Sequence, residues 1–243
     1  MRSWGITDTG LVREENQDAY AIQTVGAYTV AVVCDGMGGT NGGRLASSIG
    51  VDVYREQLEK HIKEEMNDQQ LSQISQFAVS LANKAIREEA AKTPGYERMG
   101  TTLVSAIVRD DRALVSNVGD SRAYLISREG IQQISRDHSV VENMVERGDL
   151  TPQAARRHPR RNLITRALGP DEEVEADTFP VAWKQGDFIL LCSDGLVNTV
   201  SDQEILFEVI HGGTADDCLE RLLALSKERG APDNVTVVLL MNI

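Results

Sequence analysis

Two kinds of apolar pattern take turns along this chain. The first is a short run that does not alternate with polar residues. Val30–Cys34, Thr101–Val108, Ala113–Val118, Ala123–Ile126, Phe188–Ser193 and Val235–Met241 are of this kind. Such runs read as strands buried on both faces. Arg2–Thr7, Ala19–Ile22, Ile131–Ile134 and Ala176–Val181 add shorter strands, giving roughly ten. The second pattern is helical. Leu45, Ile49, Val53, Leu58, Ile62 and Met66 recur at three- to five-residue steps, and Leu71, Ile74, Ala78, Leu81 and Ala85 repeat the pattern before Thr93-Pro94-Gly95 stops it. Ser139 with Glu142 matches a capping box, Gly148 fits the end of that helix, and Thr151-Pro152 opens another. Ser201–Ile210 and Thr214–Arg229 are predicted helices near the end of the chain. The short connections at 109–112, 119–122 and 128–130 predict a meander of antiparallel neighbours. Strands apolar on both faces need cover on both faces. Two packed sheets with helices outside provide it, so the pattern predicts a layered α+β domain, helix–sheet–sheet–helix.

Several strands carry an Asp at one end. Asp35 closes the run Val30–Cys34 and is followed by Gly36, Gly38 and Gly39. Asp194 follows Phe188–Ser193, Asp233 precedes Val235–Met241, and Asp120 lies between two runs. Each Asp beside a glycine or turn residue reads equally as a surface turn. As a group, they would repel one another and raise their own pKa values unless divalent cations sat among them. The glycines after Asp35 allow backbone conformations closed to other residues. In the polar stretch 10–18, Arg13 offers either a planar fork for a phosphate or a surface ion pair with Glu14, Glu15 or Asp18. Arg156-Arg157-His158-Pro159-Arg160-Arg161 is a basic island. It fits attraction of a phosphorylated substrate or a helix C-terminus that favours cations.

Composition narrows the classes. The 37 Asp and Glu outweigh 25 Lys and Arg, a net charge of −12. That argues against nonspecific nucleic-acid binding and against anionic membrane surfaces. Three cysteines argue against a disulfide framework. No apolar run nears the ~18 residues of a membrane span, and no signal-peptide pattern is present. The reading is of a soluble, cytoplasmic monomer.

Read in order, the motifs resemble the bacterial type 2C metal-dependent Ser/Thr protein phosphatases. They are Arg13 with Gln17-Asp18, Asp35-Gly36-Met37-Gly38-Gly39, Gly100-Thr101-Thr102, Gly119-Asp120-Ser121-Arg122, Asp137-His138-Ser139, Ser193-Asp194-Gly195 and Asp233-Asn234. The resemblance spans essentially the whole chain. It implies one catalytic domain over residues 1–243, a four-layer αββα sandwich, and a flap at about 139–162. It also implies two Mn2+ or Mg2+ ions, with a third at a site made by Asp120 and Asp194. By motif position, Asp35 would bridge the two ions and Gly36 would lend its carbonyl to one. Asp194 and Asp233 would hold the other, Asp18 would act through bound water, and Arg13 would bind the substrate phosphate. The implied reaction is hydrolysis of phosphoserine and phosphothreonine by a hydroxide shared between the ions, opposing a bacterial Ser/Thr kinase. A phosphoprotein-binding pseudo-enzyme and a two-metal nuclease are the competing readings. Intact Asp35, Asp194 and Asp233 count against the first, and the net charge against the second.

Three positions depart from the family pattern. Met37 and Thr40 stand where many relatives have a histidine, and Arg44 stands where bacterial relatives commonly have an acidic residue. The missing histidines leave protonation of the leaving group to a metal-bound water, with His158 in the flap as the alternative acid.

Overall fold

The computed structural model describes residues 1–39, 42–92, 94–155 and 158–243. In chain order, β1 is Arg2–Asp8, β2 Asp18–Val25 and β3 Tyr28–Met37, followed by α1 Gly42–His61 and α2 Asp68–Lys92. Then come β4 Gly100–Thr101, β5 Leu103–Arg109, β6 Arg112–Val118, β7 Arg122–Ser127 and β8 Gly130–Gln133. The short helices α3 Val140–Glu146 and α4 Pro152–Ala155 precede β9 Asp177–Ala182 and β10 Phe188–Cys192. Finally, α5 Asp194–Val197, α6 Asp202–His211 and α7 Ala215–Glu228 lead to β11 Val235–Met241.

The strands form two antiparallel sheets. One has the order β1-β11-β10-β7-β8, the other β2-β3-β5-β6-β9 with β4 beside β3. Residue parity explains why the strand runs do not alternate. Val30, Val32 and Cys34 of β3 pack with Ala46, Tyr54 and Leu58 of α1 and Leu71, Ala78 and Ile86 of α2. Ala31 and Val33, between them, pack with Val238 and Leu240 of β11 in the layer between the sheets. Val235, Val237 and Leu239 of β11 turn the other way, onto Ile205 of α6 and Leu219 and Leu222 of α7. Both faces of the central strands are therefore dry, and the layers are helix, sheet, sheet, helix as expected.

Five local expectations need correction. The predicted meander is interrupted, because β6 pairs with β5 and β9 whereas β7 pairs with β8 and β10. The Gly119-Asp120-Ser121 connection is therefore a crossover between sheets. A non-alternating apolar run does not say which sheet it joins, and Gly119 at φ 102° supplies the sharp change of direction. The run at 101–108 is two strands, broken at Thr102. β3 continues through Asp35 to Met37, because Gly36 and Met37 pair with Thr101 and Gly100. Asp194-Gly195 opens α5 where a turn was expected. Gly36 also has a different reason for being glycine. A Cβ there would lie 2.0 Å from the Gly43 carbonyl oxygen, so close packing of α1 on β3 requires it. Gly38 and Gly39 do adopt positive φ, at 128° and 79°.

Ser139 caps α3 by accepting from the Glu142 N–H at 3.1 Å, and Gly148 takes φ 78° after its end. A full capping box forms at Ser201 and Glu204, at the start of α6. Among the described residues, no helix is long and apolar enough to cross a membrane. Thr40, and Arg156 and Arg157 of the basic island, lie outside the described residues.

Candidate metal centre

The carboxylates gather at one end of the layer between the sheets. Asp18 and Asp35 are direct partners in the β2–β3 register, so their side chains share a face. By parity that face is the one carrying Ala31 and Val33, toward the opposite sheet. From that sheet, Ser193 at the end of β10 and Thr236 of β11 reach back. Both hydroxyls donate to Asp18 Oδ2 at 2.7 Å, and Thr7 Oγ1 meets Thr236 Oγ1 at 2.7 Å. Asp18 thereby ties the two sheets together. Asp194 and Asp233 stand beside these residues, one after Ser193 and one at the turn into β11. Asp120 enters from the crossover.

The electrostatics register how close these groups are. Burial, and then the charges of Asp18, Asp194, Asp120 and Asp233, hold the Asp35 carboxyl well above the ordinary carboxylate range. Burial likewise raises Asp18 to about 7, Asp120 to about 8 and Asp194 to about 6. Two carboxylate oxygens, Asp18 Oδ1 and Asp194 Oδ1, are buried with no hydrogen-bond partner. The other Asp194 oxygen accepts from Asn198 Nδ2 at 3.0 Å. Buried acceptors left unpaired are costly and uncommon. A hard divalent cation would pair both and offset the repulsion. Oxygen donors without a Cys or His ligand suit Mg2+ or Mn2+ better than zinc. Among the described residues, no three or more His, Cys, Asp or Glu side chains are arranged so that they could hold a metal ion without further ligands. Mg2+ commonly keeps several waters and few carboxylates, so an open carboxylate set still fits it.

Arg13 belongs to this cluster, and its partner is none of the three acids the sequence offered. Its Nη2 donates to Asp233 Oδ2 at 2.7 Å, and its side chain stays 55% exposed. Its pKa is raised chiefly by that bond, with Asp35 and Asp194 contributing. Arg44 meets Glu15 at the surface, at 3.2 Å.

Residues that the sequence reading left outside the ligand set hold this geometry. Asn234 is buried and is not a ligand candidate. Its amide accepts from the Gln17 N–H at 2.8 Å and donates to the carbonyls of Thr9 and Glu15 at 2.8 and 3.0 Å. It thus clamps the loop that carries Arg13. Thr101 and Thr102 engage both peptide groups of Asp35. Thr102 Oγ1 accepts its N–H at 2.9 Å, and its carbonyl accepts from the Thr102 N–H and the Thr101 hydroxyl, each at 2.9 Å. Their only sequence signal was the Gly100-Thr101-Thr102 motif, which names no partner.

His138 is held through both ring nitrogens. Its Nδ1 accepts from the Gly119 N–H at 3.1 Å and its Nε2 lies 3.2 Å from Asp177 Oδ2, while burial lowers its pKa. His158 Nδ1 accepts from the Arg160 N–H. Beside the carboxylates opens a cleft of about 420 Å3, lined by Asp120 and Asp194 on one side and by Ser139, Glu142, Pro152 and Arg161 of the stretch 139–162 on the other.

Comparison with known proteins gives the family. The chain is 33% identical over 235 residues to the Serine/threonine phosphatase stp of Listeria innocua, covering 96% of this chain and 93% of that protein. It is 37% identical over 233 residues to the Serine/threonine protein phosphatase PstP of Mycobacterium tuberculosis, covering 96% of this chain and 43% of that longer protein. The crystal structure of a bacterial serine phosphatase superposes with a TM-score of 0.92 at 35% identity, covering 100% of this chain and 98% of that one. The family described as Protein phosphatase 2C matches residues 12–235, and the chain belongs to that family.

Proposed function

We propose that residues 1–243 form one catalytic domain that hydrolyses phosphoserine and phosphothreonine in proteins, with Mn2+ or Mg2+ bound among its carboxylates. The observation that carries this reading is the convergence of Asp18, Asp35, Asp120, Asp194 and Asp233 with two unpaired carboxylate oxygens and Arg13 at the rim. Asp35, the Gly36 carbonyl, Asp194 and Asp233 would hold two ions. Asp120 with Asp194 would hold a third. When bound, the ions lower the pKa of a shared water and neutralise phosphoryl oxygens.

The chain's own residues do the remaining work. Asp18, fixed by Ser193 and Thr236, keeps one oxygen free toward the site. Arg13, paired with Asp233 and largely exposed, would turn its guanidinium fork to the substrate phosphate once the Asp233 carboxylate is engaged elsewhere. The cleft between the carboxylates and the flap, residues 139–162, receives the peptide. His138 holds the base of the flap through Gly119 and Asp177 and donates no proton to the leaving group. Water serves as that acid, because Met37 has no proton to give. The natural partners are phosphoproteins and the bacterial Ser/Thr kinase that makes them.

The test is phosphate release from a phosphothreonine peptide. Exhaustive chelation should abolish it and added Mn2+ should restore it. Full activity in chelator would sink the mechanism. Peptide binding without turnover at any metal concentration would favour the pseudo-enzyme.

A further inference from the structure

Asp35 and Asp120 reach the site by unrelated routes. Asp35 lies within β3 of one sheet, and Asp120 lies in the crossover to the other sheet. Their separation depends on what joins β3 to the crossover.

We propose that Thr102 and Ser121 are positioning residues, a buried hydroxyl pair that sets the separation of Asp35 and Asp120; the inference rests on the metal-dependent reading above. Thr102 Oγ1 accepts the Asp35 N–H at 2.9 Å and lies 2.7 Å from Ser121 Oγ. Thr102 is 3% exposed and Ser121 is fully buried, so each hydroxyl needs the other. The Thr102 side chain also seats the crossover. A Cβ on Gly119 would lie 2.6 Å from Thr102 Cγ2, so the loop carrying Asp120 rests directly on that methyl group. The break between β4 and β5 falls at Thr102, whose N–H still bonds the Asp35 carbonyl while its hydroxyl, in place of a backbone carbonyl, takes the Asp35 N–H. One side chain thus holds the peptide of Asp35 through its hydroxyl and the loop of Asp120 through its methyl. Ser121 completes the link one residue beyond the carboxylate. The pair transmits any shift of the crossover to the strand that carries Asp35. Ions bound at Asp35 and at Asp120 are thereby coupled.

The experiment is Mn2+ binding to the full chain by calorimetry, with melting temperature in chelator measured alongside. Ser121→Ala cuts the link and leaves the Asp35 N–H satisfied. It should weaken the weakest ion by about fivefold, the size of one net hydrogen bond, and leave the tighter ions within about twofold. Thr102→Val keeps the methyl seat but strips Asp35 of its acceptor, and should weaken all ions by about tenfold. Thr102→Ser restores the hydroxyl and should recover the tighter ions. Adding Ser121→Ala to Thr102→Val should weaken the weakest ion no further, because the link is already broken. The inference is overturned if Ser121→Ala leaves every affinity unchanged. It is equally overturned if Ser121→Ala weakens all ions alike with a matching fall in melting temperature, which is plain loss of fold. Wild-type chain that binds no divalent ion would overturn the metal reading itself, and this inference with it, before any variant is compared.

Discussion

At the scale of single residues, the candidate site is a balance between repulsion and compensation. Asp35 has the least favourable position, with its carboxyl held well above the usual range by burial and by four neighbouring acids. Replacing it with Asn removes an ionisable group, and with it the cost of either charging it among the other acids or holding its proton, while keeping the shape. Metal-free Asp35→Asn should therefore melt above the metal-free wild type, by ~2–4 °C for each kcal/mol of repulsion relieved in a chain of this size. It should also lose the stabilisation that Mn2+ gives, and its turnover. Scanning calorimetry in chelator and in Mn2+ checks both. A metal-free variant that melts well below wild type would mean that the carboxylates do not strain one another. Arg13 sits on the other side of the balance. It is ion-paired with Asp233, and its exposed side chain leaves it free to exchange partners.

At the scale of elements, the loop that carries Arg13 and the turn that carries Asp233 behave as one unit. Asn234 joins them with three hydrogen bonds to loop backbone. The Leu11 N–H donates to the Ala231 carbonyl, and a Cβ on Gly10 would lie 2.2 Å from the Asp233 carbonyl oxygen. Asn234→Ala should raise KM for phosphopeptide several-fold with a smaller change in kcat, because Arg13 loses its fixed approach. It should cost ~1–3 kcal/mol of stability through the orphaned backbone groups. Steady-state kinetics with a phosphopeptide checks the split, and a fall in kcat at unchanged KM would contradict it. This clamp was not legible in the sequence, whereas much around it was. Helical spacing located α1, α2, α6 and α7, and non-alternating runs located the strands, because burial on both faces leaves a direct mark on composition. Sheet membership left no such mark, so the crossover at Gly119-Asp120-Ser121 read as a hairpin. The motif order pointed to Asp35, Asp194 and Asp233, but side chain to backbone contacts between distant segments have no spacing signature. Asn234, Thr102, Ser193 and Thr236 acquire partners only once the sheets are stacked.

At the scale of the whole molecule, the carboxylate cluster sets how stability depends on pH. Asp18, Asp120 and Asp194 are raised to about 7, 8 and 6, and Asp35 is raised as well. In the unfolded chain each would return to about 3.9. Between about pH 4 and 8, the metal-free folded chain therefore holds protons that the unfolded chain has released, and its stability falls as pH rises. His138, lowered by burial, works in the opposite sense below its ordinary value, but it is one group against four. The lowered carboxylates, Asp8, Glu56, Glu97, Asp177 and Glu204, exert their pH dependence at the acid end of this window and below it. Divalent ions reverse the trend, because they replace the protons as compensating charge and bind more tightly once their ligands are deprotonated. In chelator, the melting temperature should fall from pH 5.5 to pH 8 by ~5 °C or more, each unit of pKa shift being about 1.4 kcal/mol. With saturating Mn2+, the gap between loaded and metal-free protein should widen over the same range. Differential scanning calorimetry across that range, with and without chelator, gives both curves. A metal-free melting temperature that stays flat or rises with pH would show that these carboxylates do not share one buried, mutually repelling site.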